Sequence, residues 1–392
     1  MSPAFCTDFT LCNALGRSRT EVLNKLAAGQ TGLQPGVASA SLEPPFSTCV
    51  GHITGVLPAL PPALATYESR VARLTFLLAR DIAASVHKAI ARWGPRRVAV
   101  VLATSTGGLA ETETAHRAAL RDEPLPPGYG LLRTHSLAAT AELLQAMFAV
   151  SGPAFVVSTA CSSSAKALAS AHRLLHTNVA DAVVAGGVDT LCSLTLNGFA
   201  ALGILSPTMC KPFAADRNGI NIGEGGALLL LEREGQGPAL LASGETSDAH
   251  HMSAPDPTGH GAEQAMRLAL QHSGVLAADV GHLNAHGTGT QLNDAAEAMA
   301  IARVFGRGPL VASTKGYTGH LLGAAGATEA AFCVAALLDQ CVPASLGSEP
   351  PQPDLEITIA SQPQRLASPF VLSNSFAFGG SNISLLFGAD TP

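Results

Sequence analysis

Four short stretches hold residues whose type and placement could do chemistry. In "VVSTACSSSAKAL" (156–168) an apolar run ends, and Cys161 stands immediately before small residues and an Ala-rich segment. A cysteine at a helix start meets the positive end of the helix dipole and free backbone N–H groups. Both favour thiolate, and the same N–H groups can hold an oxyanion once sulfur attacks a carbonyl. The plain alternative is a small buried cysteine at a packed strand–helix junction. In "NAHGTGT" (284–290), His286 enters a polar loop whose Thr288 and Thr290 hydroxyls could bind the amides of an extended ligand. His282 and His286 form an HxxxH pair, but on a strand they share no helical face, so a metal site is not expected and His282 reads as structural. In "STKGYTGHLLGAAGATE" (313–329), Lys315 and His320 occupy a Gly-rich turn that is not a phosphate-binding loop, and Glu329 is the candidate acid partner of Lys315. In "NSFAFGGSN" (374–382), Phe376 and Phe378 precede Gly379 and Gly380, a pair that permits unusual backbone angles: either a mobile aromatic gate or a tight hairpin.

Each of these groups stands at the end of a predicted strand, where open α/β sheets bind ligands. Buried strands are expected at 97–105, 154–159, 181–187, 225–234, 282–287, 309–314 and 370–375. Their near-continuous apolar character implies sheets covered on both faces. Helices are expected at 67–93 as one long amphipathic element, and at 137–150, 162–176, 262–274, 294–305 and 323–340. The sum is an α/β fold with a parallel or mixed sheet. A polar Gly/Pro stretch at 232–241 divides the chain into halves, 1–237 carrying Cys161 and 238–392 carrying His286, Lys315 and His320. "VVSTACSSS" and "VASTKGYTGH" hint at an internal repeat, a strand leading into a small-residue turn and a helix in each half.

A chain of 392 residues that is 47% hydrophobic and 13% charged must bury much of itself, in two domains or one large one. Its net charge of -6 argues against nucleic acid as a partner. No apolar run is read as reaching the roughly 18 residues of a membrane span, and the N-terminus lacks a signal-peptide pattern. The eight cysteines show no CxxC pair, which disfavours zinc or a disulfide framework and points to a reducing cytoplasm.

Taken in order, these motifs make the sequence resemble the condensing enzymes of the thiolase fold, specifically the 3-oxoacyl-[acyl-carrier-protein] synthases I/II. The family's T-A-C-S-S, H-G-T-x-T, S-T-K-x-x-x-G-H-x-x-G-A-A-G and N-S-F-x-F-G-G-x-N all occur, and "FAADRNGINIGEGG" (213–226) matches its D-R-x-G-x-x-x-G-E-G stretch. The resemblance runs from "ALGRSRTEVLNKLAAGQTGL" to "NSFAFGGSNISLLF". It implies a five-layer α-β-α-β-α sandwich of two similar mixed-sheet halves, usually dimeric. It also implies that Cys161 takes an acyl group from a carrier-protein thioester, with the N–H groups of Cys161 and Phe378 as oxyanion hole. His286 and His320 would bind the thioester oxygen of malonyl carrier protein as CO2 leaves, Lys315 and Glu329 would fix the histidines, and Thr288 and Thr290 would line a phosphopantetheine tunnel gated by Phe378. Phe199, Phe376 and the loop at 106–109 are the expected pocket walls. No cofactor is implied beyond the carrier's own phosphopantetheine. Because carriers are acidic, Arg70 and Arg73, three apart on one helical face, are the expected docking residues, with a solvated face as the alternative.

The sequence departs from the family in three places. "FCTDFTLCNALG" replaces the usual V-T-G-x-G start, the 204–216 loop is short and lacks the extra basic residues of housekeeping enzymes, and Ala377 stands where glycine is usual. With "NGFAALGILSP" (197–207), these features look more like ketosynthases of aryl-polyene pigment clusters, where an active synthase pairs with a chain-length-factor-like subunit lacking the cysteine. A non-catalytic subunit of that kind is the alternative reading, which the complete Cys161, His286, Lys315 and His320 set disfavours. "SSAK" (163–166) matches the S-x-x-K of penicillin-binding proteins, but S-D-N and K-T-G are missing. A thiolase proper would need a second cysteine near the C-terminus, and an initiating synthase an asparagine where His320 stands.

Overall fold

A computed structural model describes residues 2–35 and 47–389. Its main sheet has 11 strands. From one edge to the other they are Thr358–Ile359, Leu310–Ala312, Val280–Asn284, Phe370–Ala377, Ser381–Gly388, Ala239–Ser247, Ala4–Asn13, Gly225–Glu232, Ala182–Asp189, Val98–Ala103 and Ala154–Val157. Only Ala4↔Leu240 and Phe5↔Ala239 join the last five strands to the rest. Numbering the strands separately on each side of that seam, and setting aside the two-residue edge strand Thr358–Ile359, gives the order 3-2-4-5-1 twice: Ala4–Asn13 through Gly225–Glu232 on one side, Ala239–Ser247 through Ser381–Gly388 on the other. The two turns compared in the sequence, after 157 and after 312, both follow the third strand of their half.

Strand alternation builds three cores from the two parts of this sheet on either side of the seam, which stack as two sheets. In Val98–Ala103, Val98, Val100 and Leu102 face an outer layer formed by helices Arg70–Asp81, Ala83–Trp93 and Ala139–Phe148. The intervening Ala99, Val101 and Ala103 face a central layer. The second sheet repeats this. Leu283, Val311, Leu372 and Leu386 pack on outer helices His260–Ser273 and Gln291–Phe305, while Val371, Ile383, Leu385 and Phe387 face inward. The central layer is the helix pair Ser163–His176 and Ala325–Asp339, so both faces of both sheets are covered, as the apolar strands imply. The stack is helix, sheet, helix pair, sheet, helix: the thiolase-like sandwich.

Several elements differ from expectation. The single helix expected at 67–93 is two, Arg70–Asp81 and Ala83–Trp93, which break at Ile82 (φ -100, ψ 5) and follow a 3-10 turn, Pro62–Tyr67. Ser69 caps Arg70–Asp81 by accepting from Ala72 N, which sets the new start. Helices Arg19–Ala27, Leu109–Leu120 and Ser193–Ala201 carry too little apolar periodicity to be foreseen; the middle one buries only Ala115. Leu322–Asp339 does have the length and mean hydropathy (1.4) of a membrane span, contrary to the count of apolar runs, but 89% of it is buried in the central layer.

Candidate active site

Cys161 stands on a strained turn. Strand Ala154–Val157 ends, Ala160 adopts φ 51, and the helix begins at Ser163. The turn is stitched by its own serines: Ser163 Oγ donates to Ala160 O (2.5 Å) and accepts from Thr159 N (2.8 Å), while Ser162 Oγ donates to Thr159 O (2.9 Å). The Phe378 backbone N–H lies beside the cysteine sulfur and favours its ionised form. Burial opposes the thiolate-favouring pull of the helix terminus. Burial pushes the Cys161 thiol up to about 11, outweighing the opposing pull of Lys315 and the Phe378 N–H.

Two histidines face the same cavity with their tautomers fixed. Lys315 Nζ lies 3.5 Å from His286 Nδ1 and 2.5 Å from the His286 carbonyl oxygen. An ammonium only donates, so Nδ1 accepts and the proton of His286 resides on Nε2. The Leu322 N–H donates to His320 Nδ1 at 3.0 Å, which leaves His320 protonated on Nε2 as well. The rings meet edge to face with centroids 5.3 Å apart. Burial, then Lys315, holds both well below the usual histidine value, so both are neutral near pH 7. Lys315 is buried and bonded to Glu329 Oε1 at 2.5 Å; burial raises the Glu329 carboxyl against the pull of that lysine. His282 lies apart on its strand and donates from Nδ1 to Leu310 O (2.8 Å). No cluster of three potential metal ligands exists among the described residues.

The 286–290 loop rests on carboxylates that sequence reasoning missed. Glu297 accepts from His286 N and Gly287 N (2.8 Å each) and from Asn374 Nδ2 (3.2 Å), and burial pushes it up to about 7. Asp294, one helical turn earlier, accepts from Gly289 N and Phe213 N. Their spacing three apart on helix Gln291–Phe305, just after the histidine loop, was the available signal. Asp189, ending its strand, accepts from Thr104 Oγ1 (2.7 Å), Ser105 N (2.9 Å), Thr106 N (2.8 Å) and Ala324 N (3.1 Å), joining the two halves beside the site.

One cavity of about 290 Å³ brings together Cys161, His286, His320, Thr288, Thr290, Phe199, Phe376 and Phe378. Lys315 and Glu329 lie behind it. Phe199 and Phe378 abut at 5.8 Å between centroids, and Phe376 packs on His286 at 6.0 Å. Thr290 also caps helix Gln291–Phe305 through Asn293 N. The loop at 106–109 does not line the cavity. Arg70 and Arg73 lie in a separate groove, and neither presents a free cation: Arg70 grips buried Glu224 with Nε (2.8 Å) and Nη2, and Arg73 pairs with Glu68.

A doubled α/β sandwich with a thiol at one third-strand turn and a lysine–histidine turn at the other has the architecture of the thiolase-like proteins. The chain belongs to the beta-ketoacyl synthase family: the family's N-terminal domain matches residues 77–236 and its C-terminal domain residues 239–349. It is 34% identical over 312 residues to 3-oxoacyl-[acyl-carrier-protein] synthase 2 of Vibrio cholerae, covering 74% of this chain and 75% of that one. It is 38% identical over 248 residues to the Mycobacterium tuberculosis enzyme of that name, a match spanning 59% of this chain and 60% of the relative's length. Among solved structures it superposes with TM-score 0.94, at 40% identity, on a chain of the complex of ketosynthase ApeO with its chain length factor ApeC from Xenorhabdus doucetiae, covering 99% and 98% of the two chains.

Proposed function

We propose that the chain is a 3-oxoacyl-[acyl-carrier-protein] synthase that joins an acyl group held on Cys161 to a malonyl unit delivered by a carrier protein. One observation carries this reading: two neutral imidazoles, each with Nδ1 occupied, present Nε2–H donors to the cavity that holds the thiol. In the first half-reaction the Cys161 sulfur attacks the acyl thioester carbonyl. The bond to the carrier's phosphopantetheine sulfur breaks, and that sulfur leaves with the Cys161 proton. The N–H groups of Cys161 and Phe378 take the transient oxyanion. In the second, the malonyl C–CO2 bond breaks and its electron pair moves onto the thioester oxygen, where His286 and His320 donate. Charge develops there only during reaction, so fixed donors lower that barrier. The enolate carbon then attacks the acyl carbonyl, and Cys161 is released and reprotonated. The product is a 3-oxoacyl carrier protein two carbons longer, plus CO2.

The 40% identity over 99% of the chain with a member of the ApeO complex supports a specialised pathway, of aryl-polyene type, over general fatty acid elongation. It also supports a chain-length-factor-like partner subunit. All eight cysteines are unpaired, which suits a reducing cytoplasm. Intact mass after mixing with a panel of acyl carrier thioesters tests the reading. We expect one acyl adduct on the wild type and none on Cys161→Ala, with His286→Ala acylated but unable to condense. A wild type that takes no acyl group from any donor, with or without a partner subunit, would leave the non-catalytic reading standing.

A further inference from the structure

The geometry points to Glu113 as the residue that positions the acyl-facing wall of the cavity, and so sets which acyl groups Cys161 accepts. This rests on the condensing activity proposed above. Phe199, which lines the cavity and abuts Phe378, belongs to the short helix Ser193–Ala201. That helix is poorly secured by its own sequence. It has nine residues, it contains Gly198, only Leu196 is buried, and Cys192 at its N-terminus supplies no side-chain cap. Its opening N–H groups are taken instead by one carboxylate from another element. Glu113 Oε2 accepts from Ser193 N at 3.1 Å, and Oε1 accepts from Leu194 N at 2.6 Å. The chain leaving that helix continues as Gly203 and Ile204, which also line the cavity; Ile204 is tied separately through its carbonyl to Ile220 N (2.8 Å), so the Glu113 attachment acts on the helix that carries Phe199. Glu113 lies on helix Leu109–Leu120, which begins immediately after the 106–109 loop.

The test compares wild type, Glu113→Ala and Glu113→Gln in two measurements. Hydrogen exchange followed by mass spectrometry reads residues 193–201 and needs no turnover. The second reads the Cys161 acyl adduct across a series of acyl carrier thioesters of increasing length. Losing both acceptors in Glu113→Ala should speed exchange in that segment by about tenfold. Its adduct profile should shift toward longer acyl groups by about threefold relative to the wild type's preferred donor. Glu113→Gln keeps one acceptor oxygen and should lie between the two. Faster exchange with an unmoved adduct profile would overturn the inference, because the attachment would then be structural only. Unchanged exchange would overturn it too. A wild type that forms no adduct would instead overturn the proposed activity.

Discussion

The thiol of Cys161 and the imidazoles of His286 and His320 are all held in their uncharged forms, by the same cause. Burial disfavours the ion on each of them, and Lys315 acts oppositely on the two kinds of group. With the thiol pushed up to about 11, its ionised fraction near neutrality is about one in ten thousand. Alkylation of Cys161 by iodoacetamide should therefore accelerate by about tenfold per pH unit from 7 to 10, without levelling off. Peptide mapping of the labelled site checks this, and a plateau near pH 7 would show a resting thiolate that the present geometry does not support. Cys161, His286, Lys315 and His320 stood out in the sequence because each has a side chain suited to the chemistry and lies in a turn that follows an apolar run. Asp189 and Glu297 did not, because their work is to accept backbone N–H groups, which a sequence does not display. In the case of Asp189, one such donor, Ala324, is 135 residues away.

Elements with a strong apolar rhythm were foreseen to within a few residues. Those that failed did so for local reasons: the break at Ile82 is set by caps, and Leu109–Leu120 buries one side chain only. The central helix pair shows how closely the elements are fitted. A Cβ added at Gly326, on helix Ala325–Asp339, would come within 2.8 Å of Ala165 Cβ and N on the partner helix, and within 2.9 Å of Ser375 Oγ. Backbone atoms cannot yield cheaply, so one helix must move. Cys161 precedes one helix of this pair, and Glu329, which anchors Lys315, lies on the other. Gly326→Ala should lower condensation by about tenfold or more, through misplacement of the histidines relative to the thiol. Its melting temperature should also fall, by about 1 °C for each kcal/mol of strain in a chain of this length. Steady-state kinetics alongside thermal denaturation checks both, and an unchanged rate would show that the helix spacing can relax without moving the site.

The whole sheet ends in an open edge. Among the described residues, strand Ala154–Val157 pairs only with Val98–Ala103, its four residues are half-buried or exposed, and Phe155 is 39% exposed. An uncovered edge beside apolar surface invites a second strand, and this one leads directly into Cys161. If a subunit pairs there, Phe155→Asp should shift the native mass toward a single chain while leaving far-UV circular dichroism unchanged. Native mass spectrometry of the chain alone and with a co-expressed partner would read the outcome, and an unaltered assembly would place the contact elsewhere.

The buried groups of the site differ in what their loss would do to the fold. Removing Lys315 would strand Glu329 as an uncompensated buried charge or force it to take up a proton, a cost of about 3–5 kcal/mol. Removing the thiol strands nothing comparable: Cys161 is small, 7% exposed, and engaged through a single backbone N–H. A duplicated copy of the gene could therefore lose its nucleophile by one mutation and still yield a stable, edge-bearing protein. Silent siblings that shape a chamber for an active one are, on this architecture, a short evolutionary step.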